Sequence, residues 1–266
     1  MTAPAPKKRF GQNFLTEPRT ARAIAEAATT PEGGTVIEIG PGTGALTAPL
    51  LDRAKVVAIE RDPDLIPVLQ EKFAEPIASG RLTLIEADAT AIDWPPLFGE
   101  GPRPHTLAGN VPYLITGRLV EIATSHAEHL EAVVFMVQKE VADRLAAAPG
   151  SKEYGALTVF TQAAFRVERL MVVRAGSFFP RPEVDSAVVR LTPERPRRAE
   201  ETEAFRAAVK AAFGMRRKTL RNAWRGLNGW SDEEIASRAA AAGISLDARG
   251  ETLSVDQFAA MTTPRP

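Results

Sequence analysis

The sequence predicts an α/β fold followed by a small helical domain, and three observations carry that prediction. Up to about residue 191, short apolar runs alternate with stretches of helical periodicity. The first run ends on a glycine-rich turn, Glu38-Ile-Gly40-Pro-Gly42-Thr-Gly44. Beyond Thr192-Pro-Glu-Arg-Pro-Arg-Arg198, where two prolines and clustered charge interrupt the pattern, only helical periodicity remains. Strands alternating with helices favour a parallel sheet covered on both faces, because a parallel connection needs a crossover long enough to hold a helix.

Taken in order, Glu17 to Ala28 reads as an amphipathic helix with Ile24, Ala25 and Ala28 on one side. Val36 to Ile39 is a short buried strand, and Ala45 to Arg53 the helix after it. Lys55 to Ile59, closed by Glu60, is a second strand, Pro63 to Phe73 a helix and Leu82 to Ile85 a third strand. Thr106-Leu-Ala108 is a fourth strand leading into Asn110, followed by a helix over Leu114 to Ser125. Ala132 to Val137 is apolar throughout, as the centre of a covered sheet is. A helix over Gln138 to Ala148 and strands over Phe165 to Val173 and Asp185 to Leu191 complete this part. Four helices follow the linker: Glu203 to Phe213, Lys218 to Arg225, Asp232 to Ala242 and Val255 to Met261. Ser231-Asp-Glu-Glu234 supplies a capping signal for the third of them. The expected division is one domain over residues 1–192 and a second over 200–266.

Composition narrows the class. With 266 residues, 44% of them hydrophobic and 25% charged, the chain can bury one large core and one small one. No run of eighteen apolar residues exists, so no membrane span is expected. Met1 to Arg9 is basic but has no apolar core, unlike a secretory signal. The absence of cysteine excludes disulfides, thiolate nucleophiles and Cys-ligated metals, and fits a cytoplasmic location. Net charge is zero, yet Arg195 to Arg225 holds ten Lys or Arg against three Glu. Such an excess suits a polyanion-binding face. A solvated helix in a chain with 25 Arg and 8 Lys accounts for it equally well.

In a parallel α/β sheet the ligand lies outside the carboxyl ends of the strands. Gly40, Glu60, Asp88 and Asn110 each stand at the end of one of the first four strands, so they are expected to line one crevice. Gly40, Gly42 and Gly44 allow a tight turn that brings backbone N–H groups close to a ligand. Glu60, twenty residues past Gly40, suits a ribose diol. The same residues match a dinucleotide fingerprint, Gly40-x-Gly42-x-x-Ala45, so a nicotinamide oxidoreductase is a rival reading that they do not separate. Asp88 is placed to accept from an adenine amino group, or to cap a turn.

Asn110-Val-Pro-Tyr113 favours S-adenosylmethionine. It has no role in hydride transfer, whereas it suits methylation of an amino nitrogen. The lone pair of an exocyclic amine is delocalised into its ring, so the amine is a poor nucleophile. The Asn110 side-chain oxygen and the Val111 carbonyl offer acceptors for its two hydrogens. Pro112 stiffens the turn, and Tyr113 offers a face for the base, where stacking is worth roughly 1–3 kcal/mol. A plain turn is the other reading of Asn and Pro here. His126 and His129 stand beside Glu128 and Glu131, but no further ligand is apparent and no metal is expected.

These motifs, with Lys8-Arg-Phe-Gly-Gln-Asn-Phe-Leu15, Phe135-Met-Val-Gln-Lys-Glu140, Tyr154-Gly155, Phe178-Phe-Pro-Arg-Pro-Glu-Val-Asp-Ser-Ala187 and Phe213-Gly-Met-Arg-Arg-Lys-Thr-Leu-Arg-Asn222, cover nearly the whole chain. Together they resemble the bacterial small-subunit rRNA adenine dimethyltransferases, relatives of the resistance-type rRNA adenine methyltransferases. The resemblance implies a seven-stranded, Rossmann-like class I methyltransferase sheet with a small C-terminal helical domain. It implies dimethylation of N6 of two adjacent adenosines in a hairpin loop near the 3′ end of 16S rRNA, in an assembling small ribosomal subunit. S-adenosylmethionine is the expected cofactor and S-adenosylhomocysteine the product, in a monomer with no metal and no membrane. By this resemblance Gln12, Asn13 and Leu15 close over the cofactor, Gly40 contacts it, Glu60 binds its ribose and Asp88 its adenine. Asn110 and Tyr113 hold the target base, with Phe178 on its other face. Lys7, Lys8, Arg9, Arg216, Arg217, Lys218 and Arg221 are the expected contacts to RNA phosphates. Val111 stands where the family usually has Leu or Ile, which matters little if only its carbonyl acts. A resistance-type enzyme acting on large-subunit rRNA and a binding factor that gates subunit assembly are the rival readings.

Overall fold

The structure, a computed structural model, describes residues 5–31, 33–215 and 217–263. Nine strands are present among them: β1 (Phe14–Leu15), β2 (Thr35–Ile39), β3 (Lys55–Glu60), β4 (Leu82–Glu86), β5 (His105–Asn110), β6 (Ala132–Gln138), β7 (Phe165–Val173), β8 (Phe178–Phe179) and β9 (Ser186–Pro193). Seven form one sheet in the order β4-β3-β2-β5-β6-β9-β7, and β1 pairs with β8 in a two-stranded ribbon. From β4 to β6 every pair is parallel. β9 runs antiparallel to β6, with Val133 opposite Leu191 and Gln138 opposite Ser186, so the sheet is mixed where a parallel one was expected. Strand direction leaves no trace in an apolar run, which reads alike from both ends. Asn110 extends β5 two residues beyond the predicted strand.

The order places β2 at the switch point, with β3 on one side and β5 on the other. Chains leaving the carboxyl ends of β2 and β5 diverge there and open a crevice. Val36, Val56, Ala58, Ala108, Val134, Met136 and Val188 share one core cluster with α1 (Pro18–Ala28) and α2 (Thr47–Leu51). Ile37, Val57, Leu107, Val133 and Phe135, the alternate residues, are buried too. Burial of both sets means that both faces are covered, as the crossovers of a parallel sheet require. In α1 the buried positions are Ala21, Ile24, Ala25 and Ala28, one helical stripe, and the Glu17 carboxylate accepts from Arg19 N–H at its start.

The helix expected over Pro63 to Phe73 is α3 (Ile66–Lys72), and a second, α4 (Ala74–Ala78), follows it where none was expected. Pro76 has no N–H to give the Lys72 carbonyl, so the helix breaks at Phe73. Next come α5 (Thr116–Ser125), α6 (Lys139–Leu145) and α7 (Ala156–Ala164); the last lies in a stretch where no element was expected. α8 (Glu203–Gly214), α9 (Leu220–Ala223), α10 (Asp232–Ala241) and α11 (Val255–Thr262) follow.

The chain divides into two compact units, Met1–Ala142 with Glu168–Pro193, and Asp143–Val167 with Glu194–Pro266. One boundary falls between Pro193 and Glu194, and residues 143–167 group with the second unit. The reason is visible in its core, where Tyr154 is fully buried and donates to the Leu253 carbonyl at 2.9 Å. Trp224 donates to the Ala208 carbonyl at 2.9 Å and packs edge-on against Phe258. The Ser231 hydroxyl accepts from Glu234 N–H at 3.2 Å, which realises the predicted cap.

Candidate active site

At the carboxyl end of β2 the chain turns through Gly40, Gly42 and Gly44, all at positive φ. Gly44 has a steric reason as well: a Cβ there would lie 2.4 Å from the Phe73 ring. Glu60, the last residue of β3, holds the turn. One of its carboxylate oxygens accepts from Gly42 N–H at 3.0 Å, the other from Asp62 N–H at 2.8 Å. Burial raises its pKa despite these two hydrogen bonds. A carboxylate has lone pairs beyond those two, so Glu60 keeps acceptor capacity toward the crevice. Lys72 fastens the turn from outside by donating to the Thr43 carbonyl at 2.8 Å. Beneath it, Glu38 is fully buried and accepts from the Thr47 hydroxyl at 2.7 Å; burial pushes its pKa up to about 8.

Asp88 caps its turn, one of the two roles read for it. One oxygen accepts from Thr90 N–H and the Thr90 hydroxyl, at 2.9 and 2.7 Å, capping the turn. The other lies 3.3 Å from the Arg61 guanidinium. Burial alone would raise its pKa; the Thr90 hydrogen bonds and Arg61 outweigh that and hold it below the ordinary carboxylate value.

A strap over residues 7–15 closes one side. Asp62, buried at the end of β3, is its latch. It accepts from Lys7 Nζ, which also meets Asp64, and from the Gln12 amide at 2.8 Å. The Gln12 side-chain Oε1 accepts from Lys7 N–H at 2.7 Å. Hydrogen bonds to Asp62 and Asp64 raise the Lys7 pKa. Phe10 carries the Arg9 guanidinium 4.7 Å from its ring centre and the Arg61 guanidinium at 5.5 Å. The β1–β8 ribbon anchors the far end of the strap, with Phe14 opposite Phe179 and Leu15 opposite Phe178.

The facing side of the crevice is Asn110 to Ile115. Asn110 donates one amide hydrogen to the Asn13 carbonyl at 2.7 Å. That bond fixes which way the amide faces and leaves its oxygen as the acceptor. Gly109 before it cannot carry a side chain, since a Cβ would stand 2.6 Å from the Ile39 carbonyl. Val111 is buried and donates its N–H to the Met136 carbonyl at 3.1 Å. The Tyr113 hydroxyl lies 3.0 Å from the Ser186 hydroxyl, at the start of β9. Strap, turn and strand ends enclose a cavity of about 920 Å³ including its open mouth. It is lined by Arg9 to Phe14, Gly40, Gly42, Glu60, Arg61, Asp88 and Asn110 to Ile115, among others.

Several expected residues stand elsewhere. Gly44 and Leu15 do not line this cavity; Leu15 is buried in the core cluster. Phe178, read as a face for the base, is a correction: it is 4% exposed and belongs to the same core cluster. Facing residues of an antiparallel pair share a side, so Leu15 and Phe178 turn inward together and Phe14 and Phe179 turn outward. Lys7 spends its charge on Asp62 and Asp64. Arg217, Lys218 and Arg221 are exposed, and Arg221 pairs with Asp247 at 3.1 Å. Arg216 and the side chain of Lys8 lie outside what the structure describes. Sequence reasoning missed Asp62 and Ser186 as site residues, although Ser186 sits inside a quoted motif. Among the described residues His126, Glu128 and His129 could hold a metal, with ligand atoms within 4.8 Å of one another. They gather with His105 around Phe98, at the opposite end of β5 from Asn110.

A sheet of this order, with a glycine turn and two acids on one side of a crevice and Asn-x-Pro-Tyr on the other, defines a class I methyltransferase. The chain belongs to the ribosomal RNA adenine dimethylase family, whose model matches residues 5–263. It is 42% identical over 261 residues to a ribosomal RNA small subunit methyltransferase A of Geobacter metallireducens, covering 96% of this chain and 94% of the relative. It is 43% identical to the protein of that name in Laribacter hongkongensis, covering 97% and 95%. Among solved structures it is similar to a dimethyladenosine transferase from Plasmodium falciparum, with a TM-score of 0.77, 25% identity and coverage of 93% and 95%. The 23S rRNA methyltransferase ErmE gives a TM-score of 0.70 at 28% identity, covering 94% and 98%. No helix among the described residues is long and apolar enough to cross a membrane.

Proposed function

We propose that this protein dimethylates N6 of two adjacent adenosines in a hairpin loop near the 3′ end of 16S rRNA, on the assembling small ribosomal subunit in the cytoplasm. The observation that carries the reading is the Asn110 amide, held by the strap so that its oxygen is an acceptor inside the crevice. S-adenosylmethionine would supply a methyl group on a sulfonium sulfur, leaving as S-adenosylhomocysteine. Glu60 would accept from ribose hydroxyls with the lone pairs its two backbone partners leave over. Asp88, kept ionised by Thr90 and Arg61, would accept from the adenine amino group of the cofactor. Gly40, Gly42, Gln12 and Asn13 complete that wall, and Leu15 and Gly44 support it from behind.

On the other wall the Asn110 oxygen and the Val111 carbonyl accept the two hydrogens of the target amine. Its lone pair is thereby turned out of conjugation and aimed at the methyl group. The nitrogen loses a proton to solvent as the C–N bond forms, and no strong base is required. Orientation carries most of the rate enhancement. Tyr113, its hydroxyl held by Ser186, presents a fixed ring to the base. Arg9, Arg216, Arg217, Lys218 and Arg221 would meet RNA phosphates, the last four from the second unit.

The test is mass spectrometry of rRNA after incubation of the purified monomer with S-adenosylmethionine. Small-subunit particles from cells lacking the protein should gain two N6,N6-dimethyladenosines. Methylation of naked large-subunit rRNA instead would assign the resistance-type activity. Binding of particles with no methyl transfer would leave a binding factor.

A further inference from the structure

Of the large apolar side chains exposed among the described residues, Leu114 lines the active-site cavity, and Phe179 and Val184 are each linked to it through a neighbour. Leu114 is 79% exposed, lines the cavity and follows Tyr113 directly. Its position abuts the strap, since a Cβ on Gly11 would come within 4.0 Å of its Cδ1. Phe179, 63% exposed, lies opposite Phe14 in the ribbon, and Phe14 lines the cavity. Val184 stands two residues before Ser186, the partner of Tyr113. Exposed arginines accompany them: Arg9 and Arg61 line the cavity, and Arg181 follows Phe179 between two prolines. Apolar side chains set among arginines match a nucleic-acid chain, whose bases are apolar on their faces and whose backbone is anionic.

An adenine reaches the crevice only after leaving its stack, and unstacking costs about a few kcal/mol. Nucleic-acid-binding proteins offset that loss with an apolar wedge between bases or an aromatic platform under them. We infer that Leu114 is the wedge that fills the gap left by the extruded adenosine, and Phe179 the platform for the nucleotide beside it. This rests on the methylation reading above and adds how the substrate is opened. The rim has a second consequence. Of two adjacent adenosines, one waits at the mouth while the other reacts, and in the later rounds the waiting base already carries a dimethylamino group. That group donates no hydrogen bond and is apolar, so an apolar rim accepts it where a polar rim would be left unpaired.

The experiment uses the full chain, small-subunit particles from cells lacking it, and a hairpin copied from the 3′ end of small-subunit rRNA with 2-aminopurine at one target adenosine. Wild type should raise the 2-aminopurine fluorescence as the base unstacks. Leu114→Ser should lose most of that rise and lower kcat/KM on particles about ten-fold or more. Leu114→Met should restore both. Phe179→Ala should raise KM about five- to ten-fold with a smaller change in kcat. S-adenosylmethionine affinity by calorimetry should stay within two-fold in all three. An unchanged fluorescence rise and unchanged kcat/KM in Leu114→Ser overturn the inference. So does a loss confined to cofactor affinity, which would make Leu114 part of the cofactor wall. If wild type itself fails to methylate adenosine N6, the methylation reading falls and takes the rim with it. That failure is told apart because it shows before any substitution is made.

Discussion

The two walls of the cavity are built by different means. The strand-end part of the proposed cofactor wall is buried and local: the Glu60 carboxylate reaches Gly42, 18 positions away, and Asp62, two positions away. The reaction wall is half-exposed and long-range: Asn110 is held by Asn13 across 97 positions, and Tyr113 by Ser186 across 73. A wall made within consecutive strand–helix units forms when the sheet forms. A wall drawn from strap, turn and distant strand is complete only when all three have docked, and those contacts are the ones a local opening breaks first. On the proposed function, the ribose and adenine contacts fall to the rigid half, the chemistry to the assembled half, and the strap serves both.

The largest effect expected from this contrast is in stability, at Glu38 under the buried wall. Its carboxyl is pushed from 4.5 to about 8 by burial. Between those values the folded chain holds a proton that the unfolded chain has released, so stability falls as pH rises through the window and levels off above about 8. Glu38→Gln has no such proton to lose and can still accept from Thr47. Urea denaturation should show the variant gaining on wild type from about pH 4.5 to about 8, by several kcal/mol at about 1.4 kcal/mol per pH unit. A constant gap across that range would mean that the wall is wetter than its burial implies.

On the assembled wall Asn110→Ala should leave cofactor affinity within a few-fold and lower kcat by about 10²-fold or more, the loss typical of one preorganised transition-state contact. Near-wild-type turnover would end the proposed chemistry. Asp62→Asn keeps the acceptor for Asp64 N–H but removes the charge opposite Lys7. Strap amides should then exchange faster by hydrogen-exchange mass spectrometry, and cofactor affinity should fall about ten-fold as ordering the strap is added to the binding step. Unchanged exchange would show that the ribbon alone seats the strap. Tyr113→Phe removes only the hydrogen bond to Ser186, worth about 1 kcal/mol. A drop in kcat of about five-fold is expected in methylation assays, and a drop as large as that of Asn110→Ala would show that the hydroxyl itself takes part.

The same contrast decides what was legible in the sequence. The glycine turn, Glu60, Asp88 and Asn110 could be placed because each follows an apolar run, and strand ends in such a fold converge. Asn110-Val-Pro-Tyr113 was legible as chemistry because its residue types suit one task. The ribbon was not, since two-residue strands have no period and Leu15 and Phe178 lie far apart in sequence. That is why Phe178 was read as facing the base: the motif names the residue, but only its pairing tells which side it turns to. Lys7 reads as a contact to RNA phosphates because nothing near it in sequence reveals Asp62, 55 positions away. The helix α7 was missed because Ala-Leu-Thr-Val-Phe-Thr-Gln-Ala-Ala carries no charged stripe and mixes in β-branched residues.

An amide has two ends that differ only in which carries hydrogen. The 2.7 Å bond from Asn110 to the Asn13 carbonyl means that reversing the amide would set two oxygens face to face. On the proposed chemistry, the Asn13 peptide carbonyl thereby selects between a productive and an inverted rotamer of Asn110. Closure and chemical competence are then one event rather than two in succession. On the proposed chemistry, whatever displaces Asn13 also releases the polarity of Asn110.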